Sequence, residues 1–179
     1  MFVHPRNVRA ATLALWFASL AGCFPDGGTF EAPPCAECMR ETVRWTVLGE
    51  LDAGRTIERE VHACREYAVF VRPYGVSDAS ARCTTTLPGC GETPGAEQLQ
   101  RSLAHPDVRD ALRRDRPFFG YNGSGTDLGY LQVDVGDRRF WIGEEHIGTT
   151  IPPGIRALRE VLGVIERSAK GRCGDAMAP

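Results

Sequence analysis

The chain has 179 residues, 42% of them hydrophobic, with 21 basic and 23 acidic side chains for a formal net charge of −2. A near-neutral, slightly acidic chain lacks the basic stripe that nucleic acid requires, and it is not a polybasic membrane binder. Lys170 is the only lysine, so nearly all positive charge is arginine.

The first predicted element is an export signal. Residues 1–9 carry Arg6 and Arg9, and residues 10–22 are apolar except for Thr12 and Ser19. Thirteen residues are too few to cross the ~30 Å hydrocarbon core as a helix, but they suit a secretory signal. The run ends Leu20-Ala21-Gly22-Cys23, which resembles the lipobox of bacterial lipoproteins. That resemblance covers these residues alone. It implies cleavage before Cys23, acylation of Cys23 with a diacylglyceryl group and often a further chain such as palmitate, and a membrane anchor. Two or more acyl chains hold a protein stably where one does not. Phe24 stands where some lipoproteins carry an inner-membrane retention aspartate, which favours the outer membrane, with the domain in the periplasm or at the cell surface.

Removing residues 1–22 leaves 157 residues with a formal charge of −4, enough for one globular domain with its own core. The expected organisation is signal 1–22, lipidated cysteine and flexible tether 23–41, one domain 42–173, and a short tail 174–179. Pro25, Gly27, Gly28, Pro33 and Pro34 mark the tether.

Within the domain, residues 42–51 alternate, with Val43, Trp45 and Val47 on one face and Thr42, Arg44 and Thr46 on the other. Asp52-Ala53-Gly54 signals a turn before a second strand over 56–63. Residues 67–72 read as a third strand, broken by 73–78, with a weaker one at 79–86. Thr93-Pro94 reads as a helix start before 96–104, and Pro106 ends that helix and opens another over 106–114. Residues 130–135 and 138–142 flank Gly136-Asp137, a two-residue hairpin signal. Pro153 opens the last helix, where Ile155, Leu158, Leu162, Ile165 and Ala169 share a face and Gly171 reads as its C-terminal cap. Strands, helices, a hairpin and a helix in that order predict an α+β domain, an antiparallel sheet of five or six strands with two or three helices on one face.

Six cysteines remain beyond Cys23: Cys35, Cys38, Cys64, Cys83, Cys90 and Cys173. In an oxidising compartment they read as three disulfides, with fifteen possible connectivities. Cys83 and Cys90 bracket a turn-rich loop suited to a local bridge, and Cys173 suits a tie back to the Cys35/Cys38 region. Cys35-Ala36-Glu37-Cys38 has the spacing of a redox pair, yet it precedes a strand rather than opening a helix, which favours a structural role. Zinc held by Cys35, Cys38 and Cys64 with His62 or Cys83 is a weaker option in that compartment.

Other candidates follow from residue type. Glu144, Glu145 and His146 form an acid–base cluster, although three adjacent residues point in different directions. His62 and His105 read as surface or cap residues. Residues 120–129 are glycine-rich without matching a phosphate loop or G-x-S-x-G, since Ser124 lies directly between Gly123 and Gly125. They suggest a recognition loop with Tyr121, Asn122 and Tyr130 as contacts. Phe118, Phe119 and Trp141 read as core.

The closing hairpin, Pro-Pro-Gly and amphipathic helix resemble the end of small bacterial protease-inhibitor domains of the emfourin type. The likeness covers about fifty residues and carries over no functional residue. The expected function is a non-catalytic binding or interaction module, inhibitor-like in its closing elements. Its partner would be a protein, glycan or small ligand, with no cofactor and no metal. A thiol-disulfide redox protein using Cys35/Cys38 and a structural envelope protein are the alternatives.

Overall fold

A computed structural model describes residues 31, 33–48, 55–62, 64–73, 80–92, 95–121, 129–146 and 148–173. The elements are β1 (Val43–Leu48), β2 (Arg55–His62), β3 (Glu66–Pro73), β4 (Ser80–Thr86), α1 (Ala96–Ala104), α2 (Pro106–Arg113), β5 (Phe118–Phe119), β6 (Tyr130–Val135), β7 (Arg138–Ile142) and α3 (Pro153–Cys173). The seven strands form one sheet in the order β4-β3-β2-β1-β6-β7-β5.

Strand alternation decides which side each residue takes. Val43 and Trp45 of β1 sit opposite Val61 and Arg59 of β2, and opposite Val135 and Val133 of β6. These positions turn toward the helices. There they join Tyr67, Val69, Phe140 and Ile142 in one core with Leu99, Val108, Ala111, Ile155, Leu158, Leu162, Ile165 and Ala169. The helix layer therefore covers one side of the sheet, as the α+β expectation has it, and the other side carries no helix among the described residues.

The β6–β7 hairpin falls on the predicted residues. Gly136 takes a φ of 59 at the first turn position, a region that costs glycine little and a branched residue much. The sheet has one more strand than expected, because Phe118 and Phe119 pair in parallel with Trp141 and Ile142.

Two helix ends differ from the sequence expectation. The N-cap of α1 is Gly95, whose N–H donates to Gln98 Oε1 at 2.8 Å, while Thr93 and Pro94 lie outside the described residues. Gly171 does not cap α3, which runs through it to Cys173. The fold also begins before residue 42. Ala36 N–H donates to Gln100 Oε1 at 2.9 Å and Gln100 Nε2 donates back to Ala36 O at 2.6 Å, while Met39 is buried in the core. The end of the expected tether is thus part of the domain.

The disulfides correct the expected pairings. Cys35 bonds Cys90, and Cys38 bonds Cys64. A local Cys83–Cys90 bridge and a Cys173 tie to Cys35 or Cys38 are both ruled out, because those cysteines are already taken. Cys83 is disulfide-bonded as well. Sequence distance is a poor guide here: 55 residues separate Cys35 from Cys90, and the fold brings them together.

Candidate functional site

The side of the sheet without helices carries a chain of charges across five neighbouring strands. Arg44 on β1 is cross-strand from Glu60 on β2 and from Asp134 on β6. Its guanidinium donates to the Glu60 carboxylate, and Glu58 lies 3.9 Å away. Asp134 accepts from Arg139 Nε of β7 at 2.5 Å and from Gln132 Nε2 at 3.0 Å. On the other flank, His62 Nε2 lies 3.7 Å from Glu60 and 3.7 Å from Glu66 of β3, ion pairs whenever His62 is protonated.

The hydrogen bond to Glu60 holds the Arg44 guanidinium above its ordinary pKa, against partial desolvation that lowers it. The charges of Glu60, Glu58 and Asp134 add to the rise. Opposite charges on adjacent strands favour this register, and each exposed pair contributes little by itself. The network fixes where the charges stand on the face that no described helix covers.

A groove of about 830 Å³ runs over this network. Its floor is Arg44, Thr46, Glu58, Gln132 and Asp134, and its rim is the 114–116 connection and the start of β7. Tyr130, Trp141 and Phe118 fall on the same side by register, opposite Leu48, Gln132 and Trp141 respectively. Phe118 and Tyr130 pack edge to face at 5.9 Å, so a half-buried aromatic patch adjoins the polar floor.

Beneath the sheet lies a second polar group of a different kind. Arg59 donates to Glu166 of α3 at 2.6 Å and to Ile57 O at 3.1 Å. Trp45 Nε1, Arg59 Nε and Tyr67 Oη are buried with no hydrogen-bond partner among the described residues. Burial pushes the Tyr67 phenol up from its ordinary pKa. The Glu166 carboxylate adds to the shift and Arg59 opposes it.

The sequence candidates scatter. Cys35 and Cys38 do not bond each other, so the redox pair is absent as a pair. Cys35, Cys38 and Cys64 are all in disulfides, which removes the proposed zinc donors. No group of three or more metal-ligating side chains stands together among the described residues. Of the recognition loop, Tyr130 reaches the open side, Tyr121 instead stacks on His146 at 4.8 Å, and Asn122 lies outside the described residues. Glu144, Glu145 and His146 diverge: Glu145 pairs with Arg156 of α3, whereas His146 meets the Tyr121 ring. His105 caps α2, its Nδ1 accepting from Asp107 N–H at 3.2 Å. Cys23 lies outside the described residues.

Sequence reading missed Arg44, Glu58, Glu60, Asp134, Arg139 and Arg116 as a group. The signal was present in the alternation of β1, which put Arg44 and Thr46 on the polar face, and in Glu58, Glu60 and His62 at two-residue spacing. No helix among the described residues is long and apolar enough to cross a membrane. No protein-family model matches the chain, and no curated protein is significantly similar to it.

Proposed function

We propose that the chain is a lipid-anchored protein of the bacterial envelope, acylated at Cys23, whose exported domain is a non-catalytic binding module. The open face of the sheet is its binding surface, and an inhibitor-like role toward a protein partner fits the closing elements. The observation that carries this reading is the groove over Arg44, where polar side chains are already oriented by their neighbours. Preorganised groups lose little freedom when a partner arrives. The disulfides fit an oxidising compartment and so support export. The run ending at Cys23 supports the anchor.

Two measurements test it. In a bacterial host, Cys23→Ser is expected to abolish acyl-chain incorporation and move the protein out of the membrane fraction. An unchanged membrane fraction would remove the anchor. A photo-crosslinking side chain placed at Thr56, in the groove, is expected to yield a discrete adduct in the envelope, and one at Arg167, on the exposed side of α3, none. Adducts from Arg167 alone would move the binding surface to the helices.

A further inference from the structure

We infer that Arg116 is the groove residue that meets the partner, and that the partner presents it with an acidic peptide segment. The inference rests on the open face being the binding surface. Arg116 has a φ of 49, in the left-handed region, and Pro117 follows it. A non-glycine residue rarely adopts that conformation, and a residue before proline is driven toward extended backbone. Strain of this kind persists only where the surroundings over-determine it, and it gathers at functional sites.

The surroundings give the side chain a purpose. Because β5 runs parallel to β7, the 114–116 connection lies alongside the start of β7, and Arg114, Arg116, Arg138 and Arg139 share one rim of the groove. Three of them are engaged: Arg114 with Asp110, Arg139 with Asp134 at 2.5 Å, and Arg138 with Asp137 at 3.6 Å. Arg116 has no ion-pair or hydrogen-bond partner among the described residues. Of the four rim arginines, its charge is the one left open among the described residues.

The groove's other charges select the ligand. Glu58, Asp115, Asp134 and Asp137 line it too. That acidic density opposes a dianionic phosphate more strongly than a single carboxylate. The planar guanidinium fork also matches a carboxylate in two parallel hydrogen bonds. An extended segment carrying one glutamate or aspartate satisfies Arg116 without bringing a second negative charge against those acids.

The test uses the full chain in detergent with its disulfides intact and a fluorescent ten-residue peptide carrying one central glutamate among neutral residues, with the same peptide carrying lysine at that position as control. The glutamate peptide is expected to bind, and to bind more weakly as salt rises. Arg116→Gly removes the guanidinium and suits the backbone, so affinity is expected to fall roughly tenfold or more while the thermal midpoint holds or rises. Arg116→Asn, which also tolerates left-handed backbone, is expected to behave alike. Wild-type affinity in both variants, or no binding of the glutamate peptide, would overturn the inference. A thermal midpoint that falls in both variants along with binding would assign Arg116 a structural role instead. If the Thr56 adduct persists while the glutamate peptide fails to bind, only the acidic-peptide inference falls. Loss of both removes the open face as the binding surface.

Discussion

Arg59, on the covered side of β2, reaches across the sheet–helix interface and pairs with Glu166 of α3 at 2.6 Å, with 8% of its own side chain exposed. A buried cation of this kind is tolerated only while its partner stands. Glu166→Gln is expected to destabilise the fold by about 3 kcal/mol, because the guanidinium is left uncompensated in the interior. Arg59→Met combined with Glu166→Leu is expected to lose much less, since apolar replacement of both partners removes the desolvation cost together with the attraction. Urea unfolding of the parent chain and both variants measures the difference.

The start of α3 is fitted to the cap of α2. A β-carbon on Gly154 would stand 2.0 Å from His105 Nδ1 and 2.6 Å from the ring's Cγ and Cε1. Gly154 N–H also donates to the Asp107 carboxylate at 2.8 Å. Gly154→Ala is expected to cost about 2 kcal/mol from overpacking. In His105→Ala/Gly154→Ala much of that clash is gone, so the double variant is expected to be more stable than the sum of the single losses predicts. A thermodynamic cycle by chemical denaturation reads the coupling.

Tyr67 sets an alkaline limit. Its phenol has a raised pKa in the fold, first through burial and then through Glu166, with Arg59 opposing, and an ordinary value near 10 in the unfolded chain. Between those two values the folded state holds a proton that the unfolded state releases. The stabilisation is therefore complete below pH 10 and is lost as pH rises above it, by about 1.4 kcal/mol per unit. Tyr67→Phe is expected to flatten this part of the profile. At neutral pH it is expected to be near neutral, since the hydroxyl it removes has no partner among the described residues. Thermal melts from pH 8 to 11 distinguish the two proteins.

The two mapped disulfides are expected to differ in worth. The chain-entropy model assigns about 4 kcal/mol to closing the loop between Cys35 and Cys90, and about 3.5 kcal/mol to that between Cys38 and Cys64. Cys64 of the second bridge and Arg65 beside it have φ values of 41 and 70, positions that strain non-glycine residues. Paired serine replacements are therefore expected to cost more at 35/90 than at 38/64. Non-reducing peptide mass spectrometry is expected to show both bridges. A third link is expected to join the Cys83 and Cys173 peptides. Cys83 is opposite Val69, on the helix side of β4, and Arg172 of α3 donates to Thr86 O at 3.3 Å.

Local patterns carry most of the fold. Alternation in β1, the Gly136-Asp137 turn and the apolar stripe of α3 each depend on neighbours along the chain, so the sequence alone makes them legible. Phe118 and Phe119 are not legible in that way. Two residues are too few for a period, and they are held by bonds to β7, Trp141 N–H to Pro117 O at 3.0 Å and Gly143 N–H to Phe119 O at 2.8 Å. Disulfide partners escape for the same reason, being set by approach in space. At the site, alternation marks Arg44 as outward, yet nothing local reveals that Glu60, Asp134 and Arg139 stand in line with it. That alignment depends on β1 lying between β2 and β6, a neighbour relation that joins Arg44 to Asp134 across a long stretch of chain.

The short stretch from Cys35 to Cys38 has a mechanical side. One of its ends is covalently fastened to Cys90, in the connection between β4 and α1, and the other to Cys64, in the turn between β2 and β3. A pull on the amino-terminal end of the chain reaches those two bonds before it reaches β1. The central strand is shielded from being peeled out of the sheet, and the load is shared between two neighbouring turns, joined where Leu87 N–H donates to Arg65 O at 2.9 Å. With both bridges reduced, the same pull would be resisted by the Ala36–Gln100 hydrogen bonds and the buried Met39 before it reached Val43 and the strand that carries Arg44.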